Sequence, residues 1–290
     1  MQPYKSARSQ AQSGILLDAN ENPYGQYNRY PDPNAQPLRR ALAAYTDTPE
    51  DTIIAGNGSN ELIDLIMRAF RGPIYIPEPT YGMYKVFAQI NDIPITDDPT
   101  QANLAFYCSP NNPTGETINS IDFPGITVVD EAYWEFCNQP SFALRNNRTI
   151  VLRTLSKAYA AAAIRLGYAI ANPEIIAILD RIKPPYNVNQ LTQDAAIKLL
   201  QTPPDIATII SERQRLQQAF KELKIQTLPS QANFILFFLP QASKVQQTLA
   251  QKGLTIRDQS DKTPNALRLT IGTPEQNNQF LTQLKCVLQK

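Results

Sequence analysis

Lys157 has surroundings unlike those of an ordinary solvated charge. An apolar, strand-like run begins at Val151 and breaks at Thr154-Leu155-Ser156, just before the lysine. Arg165 follows eight residues later, and a second apolar strand opens near Leu166. An amine at the mouth of a buried strand reacts with carbonyls when desolvation or a neighbouring cation lowers its proton affinity. The competing reading is a plain surface loop. The choice depends on whether the chain supplies partners.

Three further groups could serve as such partners. Asp130 closes the apolar run Ile126-Thr127-Val128-Val129 and would sit at a sheet's rim, where a carboxylate can keep a heterocyclic nitrogen protonated. Tyr133, three residues on, could reach a phenolic oxygen on the same ligand. Gly58-Ser59-Asn60 leads into a helical pattern, and backbone N–H groups there would form a phosphate cup. Arg165 adds a fixed cation. Each has an ordinary alternative: a strand-end carboxylate, a helix cap by Ser59 or Asn60, a surface arginine. Together they are the set that pyridoxal 5′-phosphate needs from a protein.

Composition removes competing chemistries. The 290 residues contain no histidine, which excludes Ser-His-Asp and Cys-His catalysis and histidine-ligated metals. No metal site is expected. Proton transfer falls to Lys, Asp, Glu, Tyr or a cofactor. The net charge of +1 makes no electrostatic case for nucleic acid or an anionic membrane. No apolar run approaches the roughly 20 residues of a membrane span. The opening MQPYKSARSQAQSG lacks a signal-peptide core, and Cys108, Cys137 and Cys286 form no CxxC pair, so reduced thiols in the cytoplasm are expected.

The elements that would position these groups alternate. Helices are expected over Pro37 to Tyr45, from Leu62 to Ala69, and over Tyr81 to Asn91, then near 173–183, 190–201 and 204–224. Strands are expected over Ile74 to Pro77, Leu104 to Cys108 and Ile126 to Asp130, and on either side of Lys157. This predicts an α/β fold with a mostly parallel, doubly wound sheet. After Pro229 the pattern becomes strand-rich: strands Asn233 to Leu239, Leu254 to Arg257 and Ala266 to Ile271, with helices Ala242 to Lys252 and Pro274 to Leu288. A large domain over 30–203 and a smaller α+β domain from 1–29 and 204–290 are expected.

At this point the chain resembles the fold-type I, class I/II aminotransferases, most closely their histidinol-phosphate branch. The matching pieces keep the family's order over nearly the whole chain: Asp18 to Gly25, Tyr30-Pro31, Gly58 to Glu61, Pro79-Thr80-Tyr81-Gly82-Met83-Tyr84, Ser109 to Gly115, Asp130-Glu131-Ala132-Tyr133, Ser156-Lys157 with Arg165-Leu166-Gly167, Ile256 to Gln259, and Leu267-Arg268-Leu269. Any one is a weak signal; nine in order are specific.

The resemblance implies roles. Lys157 corresponds to the lysine that holds the cofactor's aldehyde and moves the substrate's proton, and Asp130 to the pyridine-nitrogen partner. Asn112 and Tyr133 correspond to the partners of the ring oxygen, and Tyr81 to the stacking ring. Arg165, Ser156 and Gly58-Ser59-Asn60 correspond to the phosphate site. Tyr30 is similar to a tyrosine that reaches the neighbouring subunit's phosphate, which implies a homodimer. Arg268 resembles the α-carboxylate clamp, and Tyr24, Asn112 and Arg257 complete the substrate site, with Arg257 and Tyr24 on the substrate's phosphate. Two arginines at opposite ends would let one site take histidinol phosphate and then glutamate or 2-oxoglutarate.

The chain departs from the family by being short between Pro94 and Leu104 and between Gly115 and Ile126, where a bare loop is expected in place of a crossover helix. Asn60 also stands where the family commonly has an aspartate. Threonine-phosphate decarboxylation, broad aromatic transamination and a non-catalytic cofactor-binding sensory module stay open as alternatives.

Overall fold

The computed structural model describes residues 6–9 and 14–289. The expected N-terminal segment of the small domain therefore lies partly outside the described residues.

Seven strands form the first sheet: β1 (Ile53–Asn57), β2 (Ile74–Tyr75), β3 (Ile95–Thr96), β4 (Leu104–Cys108), β5 (Ile126–Asp130), β6 (Thr149–Thr154) and β7 (Leu166–Ile170). Their order is β1-β7-β6-β5-β4-β2-β3. From β6 to β3 every pairing is parallel, and β7 runs antiparallel between β6 and β1. The expected mostly parallel sheet is present.

Alternate residues of each central strand enter different cores, as the two-residue period requires. Ile54, Val128, Ile150, Leu152 and Ala169 pack with α2 (Ser59–Ala69), α3 (Met83–Ile90) and α4 (Pro173–Ile182), the last two helices of this face contributing Tyr84, Ile175 and Leu179. Ile53, Ala55, Val129, Val151, Tyr168 and Ile170 face the other way, onto Leu38 and Leu42 of α1 (Gln36–Thr46) and Ala196 of α5 (Gln190–Leu200). Helices thus cover both faces, which is why the middles of β5 (Val128-Val129) and β6 (Ile150-Val151-Leu152) are apolar on both sides.

The second sheet is antiparallel throughout, in the order β10-β11-β9-β8. It comprises β8 (Gln226–Thr227), β9 (Phe234–Phe238), β10 (Arg257–Asp258) and β11 (Ala266–Thr270). Ile235, Phe237, Leu267 and Leu269 pack beneath α6 (Ala207–Glu222), α7 (Ala242–Gln251) and α8 (Pro274–Leu288). Phe234 faces the opposite way and joins Ala132, Tyr133 and Ala158 of the first sheet's loops. This contact sets the two sheets against each other beside Asp130 and Lys157.

Several boundaries differ from the sequence reading. The strand expected over Leu254 to Arg257 is Arg257–Asp258, because Leu254 and Ile256 serve the core without joining a ladder. The strand from Ile74 stops at Tyr75, before Pro77, which has no N–H to offer a ladder. The helix expected from Tyr81 begins at Met83, and the one expected over 204–224 spans Ala207–Glu222. β1, β3 and β8 are short strands that the pattern did not reveal. Residues 116–125 contain no helix, the bare loop expected there, while the other short connection holds one 3-10 turn at Pro99–Gln101.

Candidate active site

Strands β5 and β6 end side by side, and the loops after them bring Asp130 and Lys157 to one cavity of about 300 Å³. Ser59, Asn60, Tyr81, Asn112, Tyr133, Ser156, Arg165 and Arg268 line the same space. The volume lies at the lower end of the roughly 300–1,000 Å³ range of ligand pockets.

One end of the cavity is built for an anion. Gly58, not Ser59 or Asn60, occupies the N-cap of α2, and no side chain caps that terminus. Its first N–H groups are therefore free for a ligand. Gly58 has φ +75°, and a Cβ there would lie 2.6 Å from Arg165 Nη2. Gly167 admits the same terminus from below, since its Cβ would lie 2.2 Å from the Ser59 nitrogen. Arg165 adopts left-handed backbone (φ 56°), a conformation that costs a non-glycine residue roughly 1 kcal/mol or more. Its Nη1 donates to the Ala162 carbonyl at 3.0 Å.

Asp130 is only 3% exposed. Its Oδ2 accepts from the Tyr84 hydroxyl at 2.9 Å and its Oδ1 from the Ala132 N–H at 3.1 Å. Burial dominates these bonds and the attraction of Lys157, pushing its pKa up to about 6. An adjacent ring cation would restore the charge. Behind it, Glu131 and Arg153 form a buried ion pair, with Nη2 to Oε2 at 2.9 Å, and Glu131 also accepts from Ser141 and the Phe142 N–H. Both charges are compensated, as burial demands.

The Lys157 ammonium lies 5.6 Å from the centre of the Tyr133 ring. Burial, then Arg268, hold its pKa below that of a free lysine, and Asp130 opposes them. This is the environment that makes a lysine amine available as nucleophile and base. Burial pushes the Tyr133 phenol up, and the ring meets Phe234 edge-on at 5.1 Å. The Tyr81 hydroxyl donates to Asn60 Oδ1 at 3.3 Å.

Arg268 enters from the other sheet. Leu267 and Leu269 point into the core of that sheet, so Arg268 between them faces the opposite side. Its Nη1 donates to Asn112 Oδ1, and its guanidinium stands over Phe234. A second contact joins the two sheets' loops: Lys262 Nζ reaches the Thr80 carbonyl at 3.2 Å, and Thr80 Oγ1 donates to Asn111 Oδ1 at 3.0 Å.

Some expected site residues stand elsewhere. Arg257 lines an adjoining cavity of about 720 Å³ that shares Arg268 with the first. The two arginines are register partners on β10 and β11, so they start from neighbouring positions rather than opposite ends. Tyr24 is 85% exposed and Tyr30 is 51% exposed, the latter stacked on Tyr186 at 4.7 Å. Neither lines the cavity. Residues without an assigned role also reach it: Cys108 and Thr154 line it, and Tyr84 holds Asp130 from behind. The buried hydroxyl of Tyr84 was the available signal, since such a group needs a partner.

Among the described residues, no helix is long and apolar enough to cross a membrane, and no group of three or more potential ligands could hold a metal.

Comparison with known proteins bears on this geometry. The family model for aminotransferase class I and II matches residues 4–103 and 95–284. A histidinol-phosphate aminotransferase of Parabacteroides distasonis is 40% identical, over 98% of this chain and 95% of its own. The solved L-threonine-O-3-phosphate decarboxylase of Porphyromonas gingivalis superposes with a TM-score of 0.82 at 23% identity, over 91% of this chain and 92% of its own. A histidinol-phosphate aminotransferase of Sinorhizobium meliloti, solved in complex with pyridoxal 5′-phosphate, gives 0.78 at 21%, over 90% and 83%. These two structural likenesses speak to the fold alone.

Proposed function

This chain belongs to the class I and II aminotransferases, and from that premise we propose that it transfers the amino group between histidinol phosphate and 2-oxoglutarate, a reaction of histidine biosynthesis. The cofactor of the reaction is pyridoxal 5′-phosphate. The donor set fits it: an uncapped helix start beside Arg165 for a phosphate, a buried carboxylate for a ring nitrogen, and a lysine of depressed basicity in the same cavity. When bound, the cofactor supplies an electron sink that stabilises negative charge at the substrate's Cα.

The chain's own groups do the rest. Arg165, Ser156 and the α2 N–H groups, opened by Gly58 and extended through Ser59 and Asn60, hold the phosphate. Asp130 would hold the ring nitrogen's proton, Asn112 and Tyr133 would hold the ring oxygen, and Tyr81 would pack against the ring. Lys157 would hold the cofactor through its aldehyde and, once displaced by the substrate's amine, would be free at Nζ to take the proton from Cα and return it. Arg268 would clamp the carboxylate of glutamate or 2-oxoglutarate, and Arg257 in the adjoining cavity would receive the phosphate of the other substrate, with Tyr24 joined to it by the family resemblance alone.

The observation that carries the substrate reading is the pair of adjoining cavities joined at Arg268. A second cation beyond the carboxylate clamp leaves room for a phosphate-bearing chain. Tyr30, exposed and outside its own cavity, supports a homodimer in which it serves the neighbouring subunit. The small sheet with its helices supports a division near residue 203, and three free thiols are consistent with a cytoplasmic protein.

The test offers histidinol phosphate, threonine phosphate and phenylalanine, each with 2-oxoglutarate. Glutamate formation from histidinol phosphate alone is expected. Carbon dioxide from threonine phosphate would replace this reading with a decarboxylase. Equal turnover of phenylalanine would broaden the substrate class to aromatic amino acids, and no turnover of any would leave a sensory module.

A further inference from the structure

One buried side chain touches two walls of the cavity without lining it. Tyr84, in the first turn of α3, is 0% exposed. Its hydroxyl donates to Asp130 Oδ2 at 2.9 Å. Its ring meets Tyr81 edge-on, with centroids 5.5 Å apart and planes at 84°, and rests on Phe106 of β4 at 5.1 Å. A phenylalanine would fill this core position as well, and a buried hydroxyl is costly unless bonded. The bond it finds is to the carboxylate, 46 residues away in the chain.

We propose that Tyr84 is a positioning residue for the cofactor site, fixing the direction of the Asp130 carboxylate with its hydroxyl and the tilt of Tyr81 with its ring. This rests on reading the cavity as the pyridoxal phosphate site. The carboxylate torsion of an aspartate is broad, so one bond leaves it free to swing. Bonds to Oδ2 from Tyr84 and to Oδ1 from Ala132 pin both oxygens. Tyr81, which lines the cavity, has its hydroxyl tied to Asn60 and its ring held perpendicular to that of Tyr84.

The ionisable groups around Asp130 are Tyr84 of α3, Tyr81, Cys108 of β4, Lys157, and Glu131 and Tyr133 from its own loop. The thiol of Cys108 is buried beside the pair and donates to the Pro110 carbonyl at 3.3 Å. Burial holds that thiol protonated, so it adds no charge. Among these groups, the Tyr84 hydroxyl is the one that hydrogen-bonds the carboxylate.

Two substitutions separate the functions. Tyr84→Phe removes the hydroxyl and keeps the ring; Tyr84→Leu removes both. Carbon-13 carboxyl titration of the cofactor-free protein, with Asp130 assigned through Asp130→Asn, reads the first function. In Tyr84→Phe the Asp130 midpoint should rise by about one pH unit, the acid limb of pyridoxal phosphate binding should follow, and kcat should fall about tenfold with KM within about twofold. In Tyr84→Leu the cofactor's Kd should rise about tenfold further, as Tyr81 loses its edge contact. An unmoved midpoint and acid limb in Tyr84→Phe would overturn the hydroxyl's role. A Leu variant indistinguishable from the Phe variant would overturn the ring's. If the unmodified protein takes up no pyridoxal phosphate, the cofactor reading falls, while the titration of the cofactor-free protein still decides the hydroxyl.

Discussion

Arg268 of the four-stranded sheet donates from Nη1 to Oδ1 of Asn112, which lies in the loop after β4 of the seven-stranded sheet. A neutral amide oxygen is a weaker partner for a guanidinium than a carboxylate, which accepts through two oxygens at once. Burial lowers the proton affinity of Arg268, Arg257 adds to that and Tyr133 opposes it, so the cation gains from a full counter-charge. Asn112 thus holds the guanidinium in place, and under the proposed function it would yield to a substrate carboxylate without leaving the cation unpaired.

Replacing Arg268 by lysine keeps the charge and removes the fork. KM for 2-oxoglutarate should rise about 10- to 100-fold, a loss of roughly 1.4–3 kcal/mol, while cofactor uptake stays unchanged. Steady-state kinetics beside an absorbance titration checks both. A KM within twofold of the unmodified enzyme's would remove Arg268 from carboxylate binding.

Gly58 and Gly167 separate affinity from stability. A Cβ at Gly58 would meet the far end of a flexible arginine, which can swing away. Gly58→Ala should therefore displace Arg165 from the helix start and raise the cofactor's Kd about tenfold, with about 1 kcal/mol of lost stability from the positive φ. A Cβ at Gly167 would meet backbone, 2.2 Å from the Ser59 nitrogen and 2.5 Å from the Gly58 carbonyl carbon. That strand and helix cannot part locally, so Gly167→Ala should cost roughly 3 kcal/mol or more. Thermal melts and cofactor titrations of the two proteins should diverge in this direction. Equal melting temperatures would contradict it.

What the sequence disclosed follows from how local each signal is. Lys157 and Asp130 end apolar runs that stay apolar because helices cover both faces of β5 and β6. The capping box at Thr273 and Gln276 likewise marks the start of α8 within four residues. β1 was hidden because Ile53-Ile54-Ala55-Gly56-Asn57 holds only two β-branched residues before a glycine and is recruited by β7 from over a hundred residues away. The neighbourhood of Arg257 and Arg268 depends on hairpin register, which no single strand reveals. Tyr84 stood in the Pro79 to Tyr84 match without a role of its own, since its partner lies on another strand.

Burial of the Asp130 carboxylate opposes folding wherever the group is charged. Its pKa of about 6 in the folded protein exceeds the roughly 3.9 of an unfolded chain. Between those values the folded state binds more protons than the unfolded state. Its contribution is therefore intact below about pH 4 and is lost as pH rises through about 6, by roughly 2–3 kcal/mol. Lys157, with its pKa lowered, acts in the opposite sense and on the alkaline side, so it does not mask this window. Asp130→Asn should raise the urea midpoint of the cofactor-free protein at pH 7.5, leave it unchanged near pH 4, and abolish transamination. A midpoint that responds equally at both pH values would show that burial of this charge is not the cause.

Tyr30 provides the test of assembly. It is half-exposed, stacks on Tyr186 and stands outside the cavity of its own chain. If it completes a partner's phosphate site, Lys157→Ala and Tyr30→Phe are each inactive or crippled alone, for different reasons. In a hybrid dimer, the site holding the intact Lys157 receives the intact Tyr30 from the other subunit, and the second site carries both defects. Random mixing after mild dissociation should then restore up to about a quarter of the sites. Were Tyr30 to act within its own chain, every site in the hybrid would carry one defect, and mixing would restore nothing. Activity of the mixture, measured against each variant incubated by itself, distinguishes the two arrangements.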